Sequence, residues 1–422
     1  MILRSMSKKQ ENQKLNKKIN NNMNKKVVLA FSGGLDTSFC VPYLKNERGL
    51  EVHTVMVNTG GFSEEEVKTI EERALTLGAV SHTTVDAVKT YYEKGIKYLI
   101  WGNILKNATY PLSVSSERVF QALEVLKHVQ KLGAGAVAHG STAAGNDQIR
   151  FDIVFEILAP EVKIIAPIRE LAISRQEEID YLQKHGFESS WEKSKYSINQ
   201  GLWGTSVGGV ETLSSDGYLP EEAYPTHVTK TKPEHIKIGF EKGEPVSFNG
   251  KKMHPIEVIK AVRDVAGPFG IGRDIHVGDT IIGTKGRVGF EAAAPIIIIK
   301  AHHLLEKHVL TKGQLYWKEQ IAGWYGQQMH EAMYLDPVMR DMEVMMESMQ
   351  KNVSGEVEIA LRPYHFNILG CTSAHDLMNA KFGAYGEVNK SYTGQDIIGF
   401  TKVLSNPLKI YYSVNEDDAD LI

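Results

Sequence analysis

The sequence predicts an α/β fold: a doubly wound parallel sheet forming a nucleotide-binding domain, followed by an α+β domain and C-terminal helices. Three observations predict it. Short apolar runs alternate with amphipathic stretches over residues 25–186, the pattern of successive βαβ units. Two of those runs end in loops of small residues that open helices, where open α/β sheets bind ligands. From about Phe187 onward, glycine, proline, serine and threonine become frequent and short β-like runs alternate with loops. The length, 422 residues, exceeds one ordinary core and gives a prior of two or three domains at about 150 residues each.

The elements are justified in order. Residues 1–24 are rich in lysine and asparagine without apolar periodicity, so a disordered basic tail is expected. Val27 to Phe31 reads as a buried parallel strand. Ser32-Gly33-Gly34 follows, and Asp36-Thr37-Ser38 opens a helix with Pro42 inside it. Val52 to Val57 and Val80 to Val85 read as the next strands. Ser63 with Glu66, and Ser174 with Glu177, are capping boxes. Gly78, Gly133 and Gly186 are helix stops. Long helices are expected over residues 86–106 and 116–132, with a strand at Ala136-Val137-Ala138. Beyond 187, strands are expected at 236–240, 245–248, 280–282 and 356–361, a strand-length apolar run at 292–299, and long helices over 309–351. The expected division is tail 1–24, nucleotide domain 25–186, substrate domain 187–385 and an oligomerisation segment 386–422.

Composition excludes several classes. Net charge is −3, too balanced for a dedicated nucleic-acid binder. Cys40 and Cys371 are the only cysteines, which excludes a disulfide scaffold or a cysteine-based cluster and suits a reducing cytoplasm. No stretch reaches the 18 or more apolar residues of a membrane span. His302, His303 and His308 lack a framing acidic cluster, so packing is expected, with no metal assigned. Met339, Met342, Met345, Met346 and Met349 recur at near-helical spacing and read as core or subunit packing.

Two loops carry the chemistry. In Ser32 to Ser38, a helix N-terminus and two glycines suit a phosphate. The Gly-Lys-Ser/Thr ending of a Walker loop is missing, so amides and a metal would balance the charge; a tight turn capped by Asp36 is the plainer alternative. The second loop, His139-Gly140-Ser141-Thr142-Ala143-Ala144-Gly145-Asn146-Asp147-Gln148-Ile149-Arg150-Phe151, would face the same cleft. Its Asp147 and Arg150 suit the ammonium and carboxylate of amino acids, against the alternative of a surface ion pair.

The first loop resembles the pyrophosphate loop of the N-type ATP pyrophosphatases. The second resembles the argininosuccinate synthase signature H-G-A-T-G-K-G-N-D-Q-V-R-F, and residues 30–38 resemble that family's A-Y-S-G-G-L-D-T-S. Tyr196-Ser197-Ile198 with Leu202-Trp203-Gly204 and Ser206 resembles its Y-S-I-D-x-N-L-W-G-R-S. The chain thus looks like a divergent bacterial member. The resemblance implies a cytoplasmic, homotetrameric, ATP- and Mg2+-dependent ligase without nucleic-acid or membrane partners. Such a ligase joins citrulline to L-aspartate through citrullyl-AMP and releases AMP and pyrophosphate. It implies ATP contacts at Ala30, Phe31, Ser32, Gly33, Gly34, Leu35, Asp36, Thr37, Ser38, Val57 and Gly140. It implies aspartate contacts at Thr142, Asn146 and Asp147. Citrulline contacts are implied at Tyr110, Ser115, Asn146, Arg150, Ser197, Ser206, Gly278 and Phe290. Asp36 and Asp147 would act by positioning and electrostatics.

The departures are specific. The family's L-G-T-S-L-A-R-P is here Leu112 to Val119, keeping Leu112, Ser115 and Arg118. Its Asn, Arg and Glu become Gly201, Thr205 and Gly208. Its V-E-N-x-x-x-G-x-K-S-R-G-x-Y-E becomes Val277 to Glu291, with Gly278 for the glutamate that faces the amino end of citrulline and Phe290 for the tyrosine. A substrate uncharged at that end, such as an N-acylcitrulline, would then fit; alternatively Asp279 supplies the charge. A tRNA-thiolating pyrophosphatase and a non-catalytic ATP-binding homologue are the rival readings.

Overall fold

The computed structural model describes residues 25–187, 195–379, 385–388 and 390–415. The tail expectation, residues 1–24, lies outside them.

The first domain is a five-stranded parallel sheet in the order β3-β2-β1-β4-β5. Its strands are β1 (Lys26–Ala30), β2 (Glu51–Asn58), β3 (Ser81–Asp86), β4 (Ala136–Ala138) and β5 (Lys163–Ile165). Strand order reverses between β1 and β4, so the loops after these two strands flank one crevice. Side chains alternate across the sheet. Val27 and Leu29 enter one apolar cluster with Phe39, Leu44 and Leu182. Val28, Val55 and Val137 enter another, which runs on into the second domain. Both faces are therefore dry, which is why these strands are unbroken apolar runs.

Local signals act as expected. Ser63 and Ser174 each accept a bond from the third helical N–H and receive the reciprocal glutamate bond. Gly133 closes the Glu117–Leu132 helix in a left-handed conformation at φ 57°. Pro42 lies inside Leu35–Asn46, which continues through it. The helix expected over 86–106 is shorter and broken: Val88–Tyr91, a π-turn over Tyr92–Ile96, then Lys97–Trp101.

The second domain has two antiparallel sheets. One runs β10-β9-β8-β13-β14, from Lys251–Lys252, Glu244–Phe248, Glu234–Glu241, Gly355–Arg362 and His365–Thr372. The other runs β11-β12-β7-β6, from Arg273–Asp279, Lys285–Glu291, Gly204–Gly208 and Ser197–Gly201. Two expectations need correction. Residues 280–282 form the turn of the β11–β12 hairpin, not a strand. The apolar run at 292–299 opens a helix, Ala293–Val309. That helix packs on the Pro255–Ala266 helix and both sheets. Its first two turns are buried nearly all round and show no polar stripe, which appears only from Lys300 on, at Lys300, His303 and Lys307. Pro295 falls in its first turn, where the missing N–H costs nothing. Met339, Met342 and Met346 are buried in the core.

Helices Gly394–Leu404 and Asn406–Val414 stand apart from this body. Apart from half-buried Ser405, every described residue from 385 to 415 is exposed, including Ile397, Ile398, Phe400, Leu404 and Leu408.

Candidate active site

The first loop leaves β1 with Phe31 N–H bonded to the Val55 carbonyl. Gly33 sits at φ 75°, and a Cβ there would lie 2.8 Å from Ile70 Cγ1, so only glycine makes this turn. Ser32 Oγ and Thr37 Oγ1 are 3.3 Å apart, and Thr37 Oγ1 donates to the Gly34 carbonyl at 3.2 Å. The Leu35–Asn46 helix starts with no side chain capping its free N–H groups. Ser38 Oγ is buried without a partner among the described residues. Gly140 packs its α-carbon against this turn: a Cβ there would meet Thr37 N at 3.1 Å. The two loops are therefore in contact, as neighbours on β1 and β4. Ala30 and Val57 lie at the ends of β1 and β2 beside the same turn.

Asp36 is placed differently from the rest of the loop. Its carboxyl lies beside that of Glu178 on the Arg175–Lys184 helix. Burial, and then the neighbouring Asp36 charge, push Glu178 up to about 8. Burial likewise raises Asp36, against the hydrogen bond from Glu178 and the charge of Arg175.

On the second loop, Asp147 bridges two guanidiniums. Arg118 Nε donates to its Oδ2 at 2.9 Å and Arg150 Nη1 to its Oδ1 at 2.8 Å. Burial would raise this carboxyl, but the two arginines outweigh it and hold Asp147 at about 2. Arg118 Nη1 also donates to Glu117 Oε1 at 2.8 Å, and its Nη2 to Asn199 Oδ1 at 3.2 Å. Glu117 is buried, accepts from Thr59 Oγ1 at 2.7 Å, and is pushed by burial up to about 7 despite Arg118. Asn146 Oδ1 accepts from Ile281 N–H at 2.8 Å, which docks the β11–β12 turn onto this loop. Thr142 is exposed at the loop crest.

The residues expected around the acceptor form the opposite wall. Tyr110 is buried, and its oxygen accepts from the N–H groups of Val114 (3.2 Å) and Ser115 (3.4 Å). Ser115 Oγ is buried and without a partner among the described residues. The Tyr110 ring packs on Phe290 (centroids 5.4 Å apart) and stacks on His276 (5.0 Å). Ladder pairing sets Phe290 opposite both Asp274 and Ser206, and Gly278 opposite Gly286. Period-two alternation then gives His276, Gly278, Phe290 and Ser206 one shared face. Ser197 lies further along, exposed on β6.

The paired segments match two family models: Arginosuccinate synthase N-terminal HUP domain over residues 26–188, and Arginosuccinate synthase C-terminal domain over residues 196–411. The chain belongs to the argininosuccinate synthase family. An argininosuccinate synthase of Methanocaldococcus jannaschii is 37% identical over 383 residues, covering 90% of this chain and 96% of its own. One from Xanthomonas campestris is 36% identical over 403 residues, covering 93% and 99%. One from Pyrobaculum aerophilum is 39% identical over 341 residues, covering 80% and 85%. The argininosuccinate synthase family condenses citrulline and aspartate with ATP in arginine biosynthesis. The chain is accordingly an ATP-dependent C–N ligase with small-molecule substrates, and the tRNA-thiolating and non-catalytic readings are set aside. No helix among the described residues is long and apolar enough to cross a membrane.

Several residues at this argininosuccinate synthase site were not singled out from sequence. Arg118 had a signal, since it persists where its neighbours in the family motif do not. Glu117 had one too, as a charge where the motif has alanine. His276, Lys106 and His330 had none, because only the tertiary fold brings them to Tyr110 and Arg150. His276 is lowered to about 4 by burial and then by Lys106; His330 is lowered to about 2 by burial and then by Arg150 and Lys106. Both are neutral imidazoles, and neither Nδ1 has a partner among the described residues. His302, by contrast, is fully buried between Asn103 and Gln350.

Proposed function

We propose that ATP binds across the two loops, with its phosphates at Ser32–Ser38 and Gly140 and aspartate at Thr142, Asn146 and Asp147. The acceptor occupies the wall of Tyr110, Ser115, Asn146, Arg150, Ser197, Ser206, Gly278 and Phe290, and it is an N-acylcitrulline. One observation carries the choice of acceptor: among the described residues, no carboxylate lies at the position a side chain of residue 278 would fill. Asp279 points to the opposite face of β11 and pairs with Lys285 at 2.6 Å, both side chains exposed. The space a side chain at 278 would fill is taken by His276, whose Nε2 would lie 2.8 Å from the added Cβ, with Asn107 Nδ2 at 3.3 Å. A neutral imidazole and an amide suit an amide nitrogen and carbonyl. They do not offset an ammonium, which would be costly to hold there unpaired.

The chemistry needs no protein nucleophile. A ureido carbon is a poor electrophile, and adenylation of its oxygen supplies a leaving group. The chain's contribution is to hold three substrates in register and balance their charge. Arg150 and Arg118 supply cations, and Asp147, held ionised, sets their spacing. Mg2+ enters with the ATP phosphates. Such an ion would keep water and phosphate ligands; the Asp36 carboxyl, turned to Glu178, is not assigned to it.

We also propose a cytoplasmic homotetramer in which the 386–415 arm packs on a second copy of this chain. The exposed apolar side chains of its two helices, Ile397, Ile398, Phe400, Leu404 and Leu408 among them, support this, because such a surface is rarely left in water. Removing residues 386–422 is expected to lower the number of subunits per particle, read as sedimenting mass divided by the chain's own mass; an unchanged subunit number refutes it.

The acceptor is tested by aspartate-dependent pyrophosphate release with Mg·ATP and citrulline, N-acetylcitrulline or N-succinylcitrulline. A higher kcat/KM with either acylated form is expected. Turnover with citrulline alone overturns the acyl reading and makes Gly278 a tolerated change.

A further inference from the structure

The second loop carries a clamp that neither the motif resemblance nor the proposed contacts assign. Its crest, from Thr142 to Gly145, is exposed. Beneath it lies Gln148, a buried side chain at the start of the Asp147–Leu158 helix. Gln148 Nε2 donates to the Ala143 carbonyl at 2.6 Å and to the Gly145 carbonyl at 3.2 Å. Its Oε1 accepts from Arg169 Nη1 at 3.2 Å. Arg169 Nη1 also donates to Asp152 Oδ2 at 2.5 Å. Asp152 Oδ1 is 2.9 Å from His139 Nε2, and His139 Nδ1 accepts from Ser141 N–H at 3.3 Å. The ring's tautomer follows from its partners. Nδ1 faces a backbone donor, so Nε2 bears the hydrogen and gives it to the carboxylate.

The circuit therefore begins at the loop's first residues and returns to its last. It holds the stem through Ser141 and the crest through two carbonyls. A trans peptide points its C=O and N–H in opposite directions. Pulling the Ala143 and Gly145 carbonyls down onto Gln148 turns the N–H groups of Ala144 and Asn146 outward, to the open side. Two outward N–H groups, one residue apart across Gly145, can converge on one anion.

We infer that Gln148 and Arg169 are positioning residues, which hold the N–H groups of Ala144 and Asn146 as donors to an anionic group of the substrates, a carboxylate of the amino-acid donor or a phosphate of the nucleotide. The inference rests on the proposed placement of ATP and aspartate at this loop. Neither side chain touches substrate. Each acts through the backbone it fixes, so the gain is preorganisation rather than a new contact.

Gln148→Glu tests it with little change of volume. The variant still accepts from Arg169 but turns an acceptor toward both carbonyls. Arg169→Ala removes the support from Gln148 at a half-exposed position, and Arg169→Lys restores its charge. The measurement is the KM of aspartate, ATP and acceptor separately, with kcat and the unfolding midpoint, and calorimetric binding of succinate and of pyrophosphate. For Gln148→Glu, a rise of about tenfold or more in the KM of aspartate or ATP is expected, with the acceptor KM within about twofold. Arg169→Ala should follow it, and Arg169→Lys should recover part of the loss. Weakened succinate binding assigns the cradle to a carboxylate, and weakened pyrophosphate binding to a phosphate. Unchanged KM values, or a fall in kcat that only tracks the folded fraction, overturn the inference. If the wild type released no pyrophosphate on aspartate addition, the parent reading would fail instead. The calorimetric comparison would then decide alone: weaker anion binding by Gln148→Glu sustains the clamp and equal binding refutes it.

Discussion

Gly201 and Glu117 should be coupled by more than either contributes alone. A Cβ at 201 would lie 2.2 Å from Glu117 Oε2 and 3.2 Å from its Cδ. Gly201 is not in the left-handed region, so alanine meets no backbone objection, and space is the whole issue. Glu117 cannot swing aside cheaply. Thr59 holds the nearer oxygen at 2.7 Å and Arg118 holds the other at 2.8 Å. Restoring an ordinary carbon–oxygen contact needs a shift of more than 1 Å, which breaks at least one of those bonds. Overpacking of this kind costs about 1–3 kcal/mol, and a lost charge-assisted bond adds about 1.5–3. In a Glu117→Ala background the same added methyl meets open volume and should cost less than about 0.5 kcal/mol. The coupling energy is therefore expected at about 2–6 kcal/mol, at or above the upper end of the usual range for touching residues. The assay is a double-mutant cycle by denaturant unfolding on the full chain at fixed protein concentration. Equal costs of Gly201→Ala in the two backgrounds would refute the argument.

Three further outcomes follow from the same charges and contacts. Asp147→Asn leaves Arg118 and Arg150 facing each other, and aspartate-dependent pyrophosphate release should fall by about a hundredfold; a loss under tenfold would deny Asp147 its role. Glu117 is raised above its unfolded value of about 4.5 to about 7. The fold therefore favours its protonated form, a contribution complete below pH 4.5 and lost as pH rises through 7. Glu117→Gln mimics that form, so the wild type should lose up to about 3 kcal/mol relative to it between those limits. Parallel profiles of unfolding midpoint against pH would contradict this. Gly278→Glu returns a carboxylate to β11 and should shift acceptor preference toward free citrulline by about tenfold in kcat/KM, more fully when His276→Ala clears the space. A preference unmoved in both variants would separate residue 278 from acceptor choice.

Much of the fold was legible because local and global signals agree. Val27 to Leu29 are apolar on both faces, and both faces are covered. Ser63 and Ser174 carry complete capping boxes, which form whatever the surroundings. The failures lie where tertiary burial erases the pattern. The run at 292–299 reads as a strand because the first two turns of its helix are buried on nearly every side and so show no period of 3.6. The π-turn at Tyr92–Ile96 has no sequence code distinct from a helix. In the site, the two loops were legible because glycine and small residues are demanded by backbone approach, as at Gly33 and Gly140. The orientation of Asp36 toward Glu178 was not, because that partner lies more than a hundred residues on.

Two of the departures from the family motif share one geometry, and this bears on the proposed acceptor site. Gly201 stands where the motif has asparagine, and the space its side chain would take holds the Glu117 carboxylate. Gly278 stands where the motif has glutamate, and its space holds the His276 imidazole. A site decaying without selection loses side chains and keeps the holes. At Gly201 and Gly278 the lost side chain is matched by a polar group from a nearby side chain, within contact distance of the vacated position, whereas at Gly208 only Ser197 lies near, at 3.9 Å. Glu117 adds a second carboxylate to Arg118, opposite Asp147. His276 adds a neutral ring to the wall of Tyr110. The cationic centre is thus braced from both sides, and the acceptor wall loses its charge while keeping its packing. The second loop departs as well, with Ser141, Ala143 and Ala144 where the motif has Ala, Gly and Lys, but its Thr142, Asn146, Asp147 and Arg150 persist, so under the proposed reading the acceptor is the substrate on which this chain should differ most from its relatives.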